Sequence, residues 1–315
     1  MTGLFSYAVF FCCVVLILGI VTLGLNLQWG FTGLFNAGVV GFYAIGAYTH
    51  AILTAAPAPQ YLGNLGLPWL VGIAAAMAAT AASAWLIGML TIRLRGDYLA
   101  IATFGIAVSI QLVTLNWEAL TGGAQGLPRI PKPLGGAFDS PLAFNLWYLG
   151  LLAAVAWTIY LALERILRSP WGRVLRAIRE DEAAARALGK SARRFRLEAF
   201  VLGATLMGLA GALYVSFIGF VSPFDFLPIL TFQVWAMLIV GGSGNNRGAL
   251  LGALVVWAIW TGSGALVTQL VPPSHAAQGA AVQVILIGLV LVLVLLFRPR
   301  GLIGEEAVVS RHAAH

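Results

Sequence analysis

The sequence predicts an all-α polytopic membrane protein with about eight to ten transmembrane helices, some of them broken or re-entrant. Three observations carry that expectation. Of 315 residues, 60% are apolar and only 9% are charged, against roughly a quarter charged in an ordinary soluble domain. No water-soluble core could hide so much hydrocarbon. Several stretches reach the roughly 20 apolar residues that a bilayer-crossing helix needs: FSYAVFFCCVVLILGIVTLGLNLQ, LPWLVGIAAAMAATAASAWLIGMLTI, LWYLGLLAAVAWTIYLAL and AAVQVILIGLVLVLVLLF. Charge is also clustered, since ten of the 18 Lys and Arg residues lie between Arg165 and Arg196.

The first apolar stretch lacks the basic flank and small-residue cleavage site of a signal peptide, so a retained helix is expected there. Cys12 and Cys13 inside it fit as small, soft packing residues. The segment that follows, GFTGLFNAGVVGFYAIGAYTHAIL, carries Gly30, Gly33, Gly38, Gly41 and Gly46 with Thr32 and Asn36 among them, and makes a poor uniform helix. One reading is close helix packing through small residues. The other is a broken helix, which a membrane tolerates only where protein or water satisfies the freed backbone groups and which often marks a transport pathway. On the second reading the pathway candidates are Asn26, Gly30, Thr32, Gly33, Asn36 and Tyr43.

Lys and Arg collect at the cytoplasmic ends of spans. Arg93 and Arg95 close the third apolar stretch, and Arg298 and Arg300 close the last. Placing both pairs inside with the 165–196 cluster leaves two spans between them, at roughly 98–116 and 146–164, with residues 117–145 outside. Further spans follow at roughly 197–221, 228–242, 248–270 and 280–297. This parity puts the C-terminus in the cytoplasm and, with GFTGLFNAGVVGFYAIGAYTHAIL crossing once, the N-terminus in the periplasm. A second glycine cluster, GGSGNNRGALLGAL from Gly241, holds Gly248 and Gly252 at GxxxG spacing, suited to a helix contact with another subunit. The two glycine clusters hint at a weak internal duplication.

Proton-coupled carriers place ionisable residues within their spans. Here Asp97, Glu118, Asp139, Glu164, Glu198 and Asp225 all fall at expected helix ends or in loops, and Glu180, Asp181, Glu182, Glu305 and Glu306 in cytoplasmic segments. His50, His275, His312 and His315 have no metal-ligand or catalytic spacing; His50 is expected as an interfacial polar residue. No catalytic or metal site is legible. Gly189-Lys190-Ser191 resembles the end of a phosphate-binding loop, but the pattern needs Gly where Ala184 stands. Any ATP-driven motor must therefore lie in another chain.

The cytoplasmic loop, RAIREDEAAARALGK at its centre, has the marks of a short helix. Asp181 is a competent N-cap, Glu182 favours the positive end of the helix dipole, and Gly189 is a natural stop. Between them EAAARAL spans about 10 Å, supported by Glu182 four residues before Arg186. Such a helix is too short to be stable alone, and its alanines leave little bulk. It suits either a partner's cleft or a solvated basic loop touching anionic lipid.

The segment SPWGRVLRAIREDEAAARALGKSARRFRLEAFVLGATLMGLAGALY resembles the cytoplasmic loop and following helix of branched-chain amino-acid permeases of ABC importers, in particular the M-type subunit. The likeness extends to LRGDYLAIATFG, LTGGAQGL, GFTGLFNAGVVGFYAIGAYT and LLFRPRGL, and covers most of the chain from about residue 22 to 302. It implies an ABC importer permease fold in the bacterial inner membrane, with one permease domain over 1–304, a coupling loop at 165–196, a periplasmic loop at 117–145 and a cytoplasmic tail at 305–315. It further implies that Arg179, Glu180, Asp181, Glu182, Ala183, Ala184, Arg186 and Gly189 form the helix that docks into an ATPase subunit. Thr121, Gly122, Gly123, Gln125 and Gly126 would meet a periplasmic solute-binding protein. The implied partners are a paralogous permease subunit, two ABC ATPase subunits holding ATP and magnesium, that binding protein and membrane lipid; nucleic acid is not among them, and this chain carries no cofactor.

Two positions depart from the family pattern. Asn36 stands where Ser is usual and Val39 where His is usual, so the solute could be a branched-chain or other apolar amino acid, urea or a short amide. A sugar or nucleoside permease is the nearest rival within transport. A stand-alone channel or facilitated carrier is the rival outside it.

Overall fold

A computed structural model describes every residue except 1, 95, 139, 271, 273–275 and 306–315. The expectations for Arg95, Asp139, His275, Glu306, His312, His315 and most of the tail lie outside the described residues. Among those described, six helices are long and apolar enough to span a membrane: α1 (Thr2–Gln28), α3 (Trp69–Thr91), α4 (Gly96–Asn116), α6 (Pro141–Arg168), α9 (Ala192–Ile218) and α11 (Asn246–Leu270). Shorter apolar stretches are α2 (Val39–Thr54), α10 (Pro228–Gly241) and Ala281–Phe297 within α12 (Ala276–Phe297). The rest are polar or very short: α5 (Glu118–Thr121), α7 (Pro170–Glu180) and α8 (Glu182–Ala187).

The broken segment is real. Residues 29–38 leave the helix after α1, and the chain resumes as α2, whose 16 residues make about 24 Å, short of a 30 Å hydrocarbon core. A second unit repeats this form: α9, an irregular run over 219–227 with a short 3₁₀ turn (Pro223–Phe226), and then the 14-residue α10. The repeat therefore pairs α1–α2 with α9–α10, not the two glycine clusters. It extends further, since α2 packs on α3 and α4 as α10 packs on α11 and α12, while α3 lies against α9 and α11 against α1.

Glycines set how closely these helices approach. A Cβ added at Gly24 would lie 2.5 Å from the Gly203 carbonyl, and one at Gly203 would lie 2.5 Å from the Gly24 carbonyl, so α1 and α9 meet backbone to backbone. The GxxxG pair is committed in the same way. A Cβ at Gly252 would sit 1.9 Å from the Met237 carbonyl, and one at Gly248 would sit 2.6 Å from that of Gly241. Both residues are buried between α10 and α11, which corrects their assignment to a subunit contact: the small-residue face is spent inside the chain.

Loop contacts divide the molecule into two faces. On one, Leu62 donates to Ala119, and Leu127 forms an antiparallel bridge with Val221, joining residues 56–66, 117–138 and 219–226. On the other, the 29–38 run, α7, residues 242–246 and residues 300–305 meet one another. The second face holds the basic cluster, with Arg173, Arg176 and Arg179 of α7 on it.

His50 is not interfacial. It is fully buried in α2, with Nε2 at 2.8 Å from the Ser216 hydroxyl of α9, which accepts from the Trp69 indole at 2.9 Å. Burial of a polar ring needs partners, and Ser216 of α9 supplies one at Nε2.

Candidate functional site

The break after α1 strands backbone groups that in lipid would each cost several kcal/mol. Side chains of the segment itself restore them. Asn36 Oδ1 accepts from the Gly38 amide at 2.8 Å, and Asn36 Nδ2 donates to Gln28 Oε1 at 2.8 Å. Gln28 donates to the Phe200 carbonyl at 2.8 Å, and the Thr32 hydroxyl donates to the Gln28 carbonyl. Asn26 accepts from the Gly244 amide at 2.9 Å and donates to Asn246, which in turn donates to Glu164 at 3.1 Å. Outside the segment, Thr103 accepts from the Ala37 amide and Thr231 from that of Val40.

This arrangement changes what the expected pathway residues do. Asn26, Thr32 and Asn36 are wholly buried and serve the broken backbone. Gly30 is held against them, because a Cβ there would meet Asn26 Oδ1 at 2.2 Å. Gly33 is exposed in a left-handed conformation, and Tyr43 borders a small cavity of about 180 Å³ with Tyr214 and Asp225. The side chains that face larger spaces are Trp29, Phe35 and Trp235, which the sequence reading passed over. Phe35 and Trp235 meet edge to face at 4.6 Å, Trp29 closes the triad at 5.3–5.4 Å, and the Trp235 indole donates to the Asn36 carbonyl at 3.0 Å. All three line a cavity of about 950 Å³ on the basic face, with Arg173, Arg176 and Arg179. Phe35 and Trp235 also line an apolar cavity of about 320 Å³ among α10, α11 and α12, and so form the wall between the two.

Arg179 joins this wall to the polar loop. From the last turn of α7 its guanidinium donates to the Gly30 carbonyl and pairs with Glu305 at 2.9 Å. α7 starts with Pro170 at its first turn and buries Gly172, Leu175 and Ile178, an amphipathic helix that the sequence reading left as loop. Asp181 then ends α7 and caps α8, accepting from the Ala184 amide at 2.9 Å. α8 runs over six residues, one fewer than expected, before Gly189 takes φ +76°. Glu182 pairs with Arg186 on its own helix and with Arg196 on α9 at 2.6 Å. Ala185 packs with Ile178 and Ala192 beneath, while Ala183, Ala184, Ala187 and Gly189 stay exposed and Leu188 is 79% exposed.

On the opposite face, Thr121, Gly122, Gly123 and Gly126 are buried turn-formers, and Gln125 alone of that group is exposed. The Thr121 hydroxyl donates to the carbonyls of Thr114 and Trp117, and Gly122 takes φ +76° with no room for a Cβ beside the Gly126 carbonyl. Nearby, Ser222 and Asp225 cap each other's backbone, and burial raises the Asp225 carboxyl above its ordinary range, with the Ser222 amide opposing.

A family model described as branched-chain amino acid transport system / permease component matches residues 7–295. The chain belongs to this permease family. The high-affinity branched-chain amino acid transport system permease protein LivM of Escherichia coli (strain K12) is 35% identical over 306 residues, covering 90% of this chain and 67% of that protein. A probable branched-chain amino acid transport permease protein LivM of Methanocaldococcus jannaschii is 27% identical, covering 92% and 91%. The permease protein LivH of the same Escherichia coli strain is 25% identical, covering 92% of each. No solved structure matches the chain. The members of this permease family are transport subunits, not enzymes, and the helical membrane architecture expected from the sequence stands.

Proposed function

We propose that this chain is one of two permease subunits of an ATP-driven, binding-protein-dependent importer for branched-chain amino acids. The similarity to both LivM and LivH of one organism supports a paralogous permease partner. ATP and magnesium would be held by two partner ATPase subunits, and the solute would arrive on a periplasmic binding protein. The basic face is cytoplasmic, which the Lys and Arg clustering supports, so the N-terminus is periplasmic and the C-terminus cytoplasmic. Residues 1–304 act as one permease domain.

The observation that carries this reading is the α7–α8 elbow. A six-residue helix cannot hold itself in water, yet α8 is fixed by its cap, by Glu182 on Arg196 and by Ala185 beneath. Its outer side shows Ala183, Ala184, Ala187, Gly189 and the apolar Leu188, with Arg186 the one exposed charge within the helix. That surface fits a cleft in an ATPase subunit, and the residues beside it, Arg179 and Glu180, lie on the helix that grips the broken segment. Movement of the elbow on ATP-driven closure would pull on the Gly30 carbonyl and displace the Trp29–Phe35–Trp235 wall, opening the apolar cavity to the cytoplasmic one. On the outer face, Gln125 and the exposed Ala124, Pro128 and Arg129 are among the groups of that loop available to a binding protein.

Leu188→Asp tests the docking. It leaves the cap and the Glu182–Arg196 pair in place but puts a charge on the docking face. Affinity-purified wild-type protein retains the ATPase subunit, and the variant loses most of it at equal membrane yield; equal retention contradicts the reading.

A further inference from the structure

An amphipathic groove of about 870 Å³ opens on the outside of the helix bundle between α6 and α11. Its walls sort by chemistry along its length. Trp157 and Leu161 of α6 face Leu250 and Leu254 of α11, and Trp157, Leu161 and Leu254 are exposed. At the end nearer the basic face stand Arg165 and Arg168 in the last turn of α6 and Arg247 in the first turn of α11. Because α6 runs towards that face and α11 away from it, the three guanidiniums share a level, with Trp157 about 12 Å deeper along the helix.

The charge of the groove is one-sided. Among its described lining residues Glu164 is the single acid, shared between Arg168 at 3.3 Å and Asn246 at 3.1 Å. Arg165 meets no acid among the described residues. Arg247 donates from Nε to the Tyr160 hydroxyl at 3.1 Å, and Tyr160 stacks on Trp157 at 5.6 Å between centroids, so its guanidinium is oriented by the protein. A hydrocarbon floor under a cluster of guanidiniums, at the end of two membrane helices, is the inverse of a phospholipid: acyl chain inside, phosphate at the boundary. Guanidinium forks match phosphate oxygens in pairs, and a net positive rim selects lipids of net negative charge.

We propose that this groove binds one anionic phospholipid, its phosphate held by Arg165, Arg168 and Arg247 and an acyl chain laid along Trp157, Leu161, Leu250 and Leu254. The site is independent of which solute is carried. It sits beside the Glu164–Asn246–Asn26 chain that anchors the broken segment, so an occupied groove braces that anchor from outside.

The test places the full chain, with its partner subunits, in nanodiscs of phosphatidylcholine containing traces of phosphatidylglycerol or phosphatidylcholine whose acyl chains are brominated. The fluorescence difference between wild type and Trp157→Phe isolates Trp157, which bromine quenches only on contact. The brominated phosphatidylglycerol quenches Trp157 roughly fivefold more effectively than brominated phosphatidylcholine. The triple variant Arg165→Gln, Arg168→Gln, Arg247→Gln removes the preference, whereas Lys190→Gln with Arg193→Gln, the same kind of charge loss away from the groove, keeps it. Equal quenching by the two lipids, or an equal effect of both sets of variants, overturns the site. So does a preference abolished by excess inorganic phosphate, which would assign the guanidiniums to a soluble anion. Silence of Trp157 towards both lipids would show that another subunit covers the groove, and also overturns it. Should the triple variant fail to insert, wild-type quenching by the two lipids decides.

Discussion

Asn36 shows how a polar residue in this segment is used. Its amide caps Gly38, ties to Gln28, and its carbonyl receives the Trp235 indole. A serine at this position would keep the backbone bond to Trp235 but is too short to reach both Gly38 and Gln28, so the amide serves the break. Trp235 is the more consequential neighbour. Trp235→Phe removes one hydrogen bond, a net cost of about 1 kcal/mol, and leaves the wall between the cavities standing. Trp235→Ala removes the wall, and the account expects a nucleotide-independent leak of radiolabelled leucine from preloaded vesicles that the Phe variant lacks. Arg179 carries the other test at this scale. Arg179→Gln frees the Gly30 carbonyl and Glu305 from its charge, so ATP hydrolysis by the assembled importer persists while uptake per ATP falls several-fold; loss of both together would assign Arg179 to docking alone.

At the scale of elements, the contrast between two glycines on α11 separates packing from composition. Gly252 lies against the Met237 carbonyl, whereas a Cβ at Gly262 meets nothing within 4 Å. Gly252→Leu overpacks α10 against α11 at a cost of about 1–3 kcal/mol or more and lowers the thermal unfolding midpoint in detergent. Gly262→Leu leaves it unchanged. The GxxxG spacing was legible in the sequence, but its partner was not, since spacing gives a face and no address. The cap at Asp181, the stop at Gly189 and the pairing of Glu182 with Arg186 could be read directly, because each is a contact within four residues. The helix α7 was hidden by its own charge: its arginines read as a loop until Leu175 and Ile178 are seen to be buried on one side. Glu182, read as a docking residue, faces Arg196 across fourteen residues, a distance that local reading does not reach.

At the scale of the whole molecule, two units of long helix, irregular run and short helix run in opposite directions through the bilayer. The long apolar helices could be read from composition alone, and six of them stand among the described residues. The aromatic wall between the two cavities could not be anticipated, because Trp29, Phe35 and Trp235 are brought together from positions up to 206 residues apart along the chain, and aromatic residues near glycines are common in any membrane protein. An inverted pair around a common centre is a form suited to alternating access, and the proposed function has the α7–α8 elbow on the basic face as the point where a partner drives it. The proposed function makes transport depend on an external motor. The direct measurement is uptake of radiolabelled leucine by proteoliposomes, with the binding protein supplied outside the permease. Vesicles holding both permease subunits and the ATPase subunits accumulate the amino acid only when ATP is present on the elbow's side. Accumulation or rapid equilibration in vesicles holding this chain alone, with no nucleotide, would contradict the account.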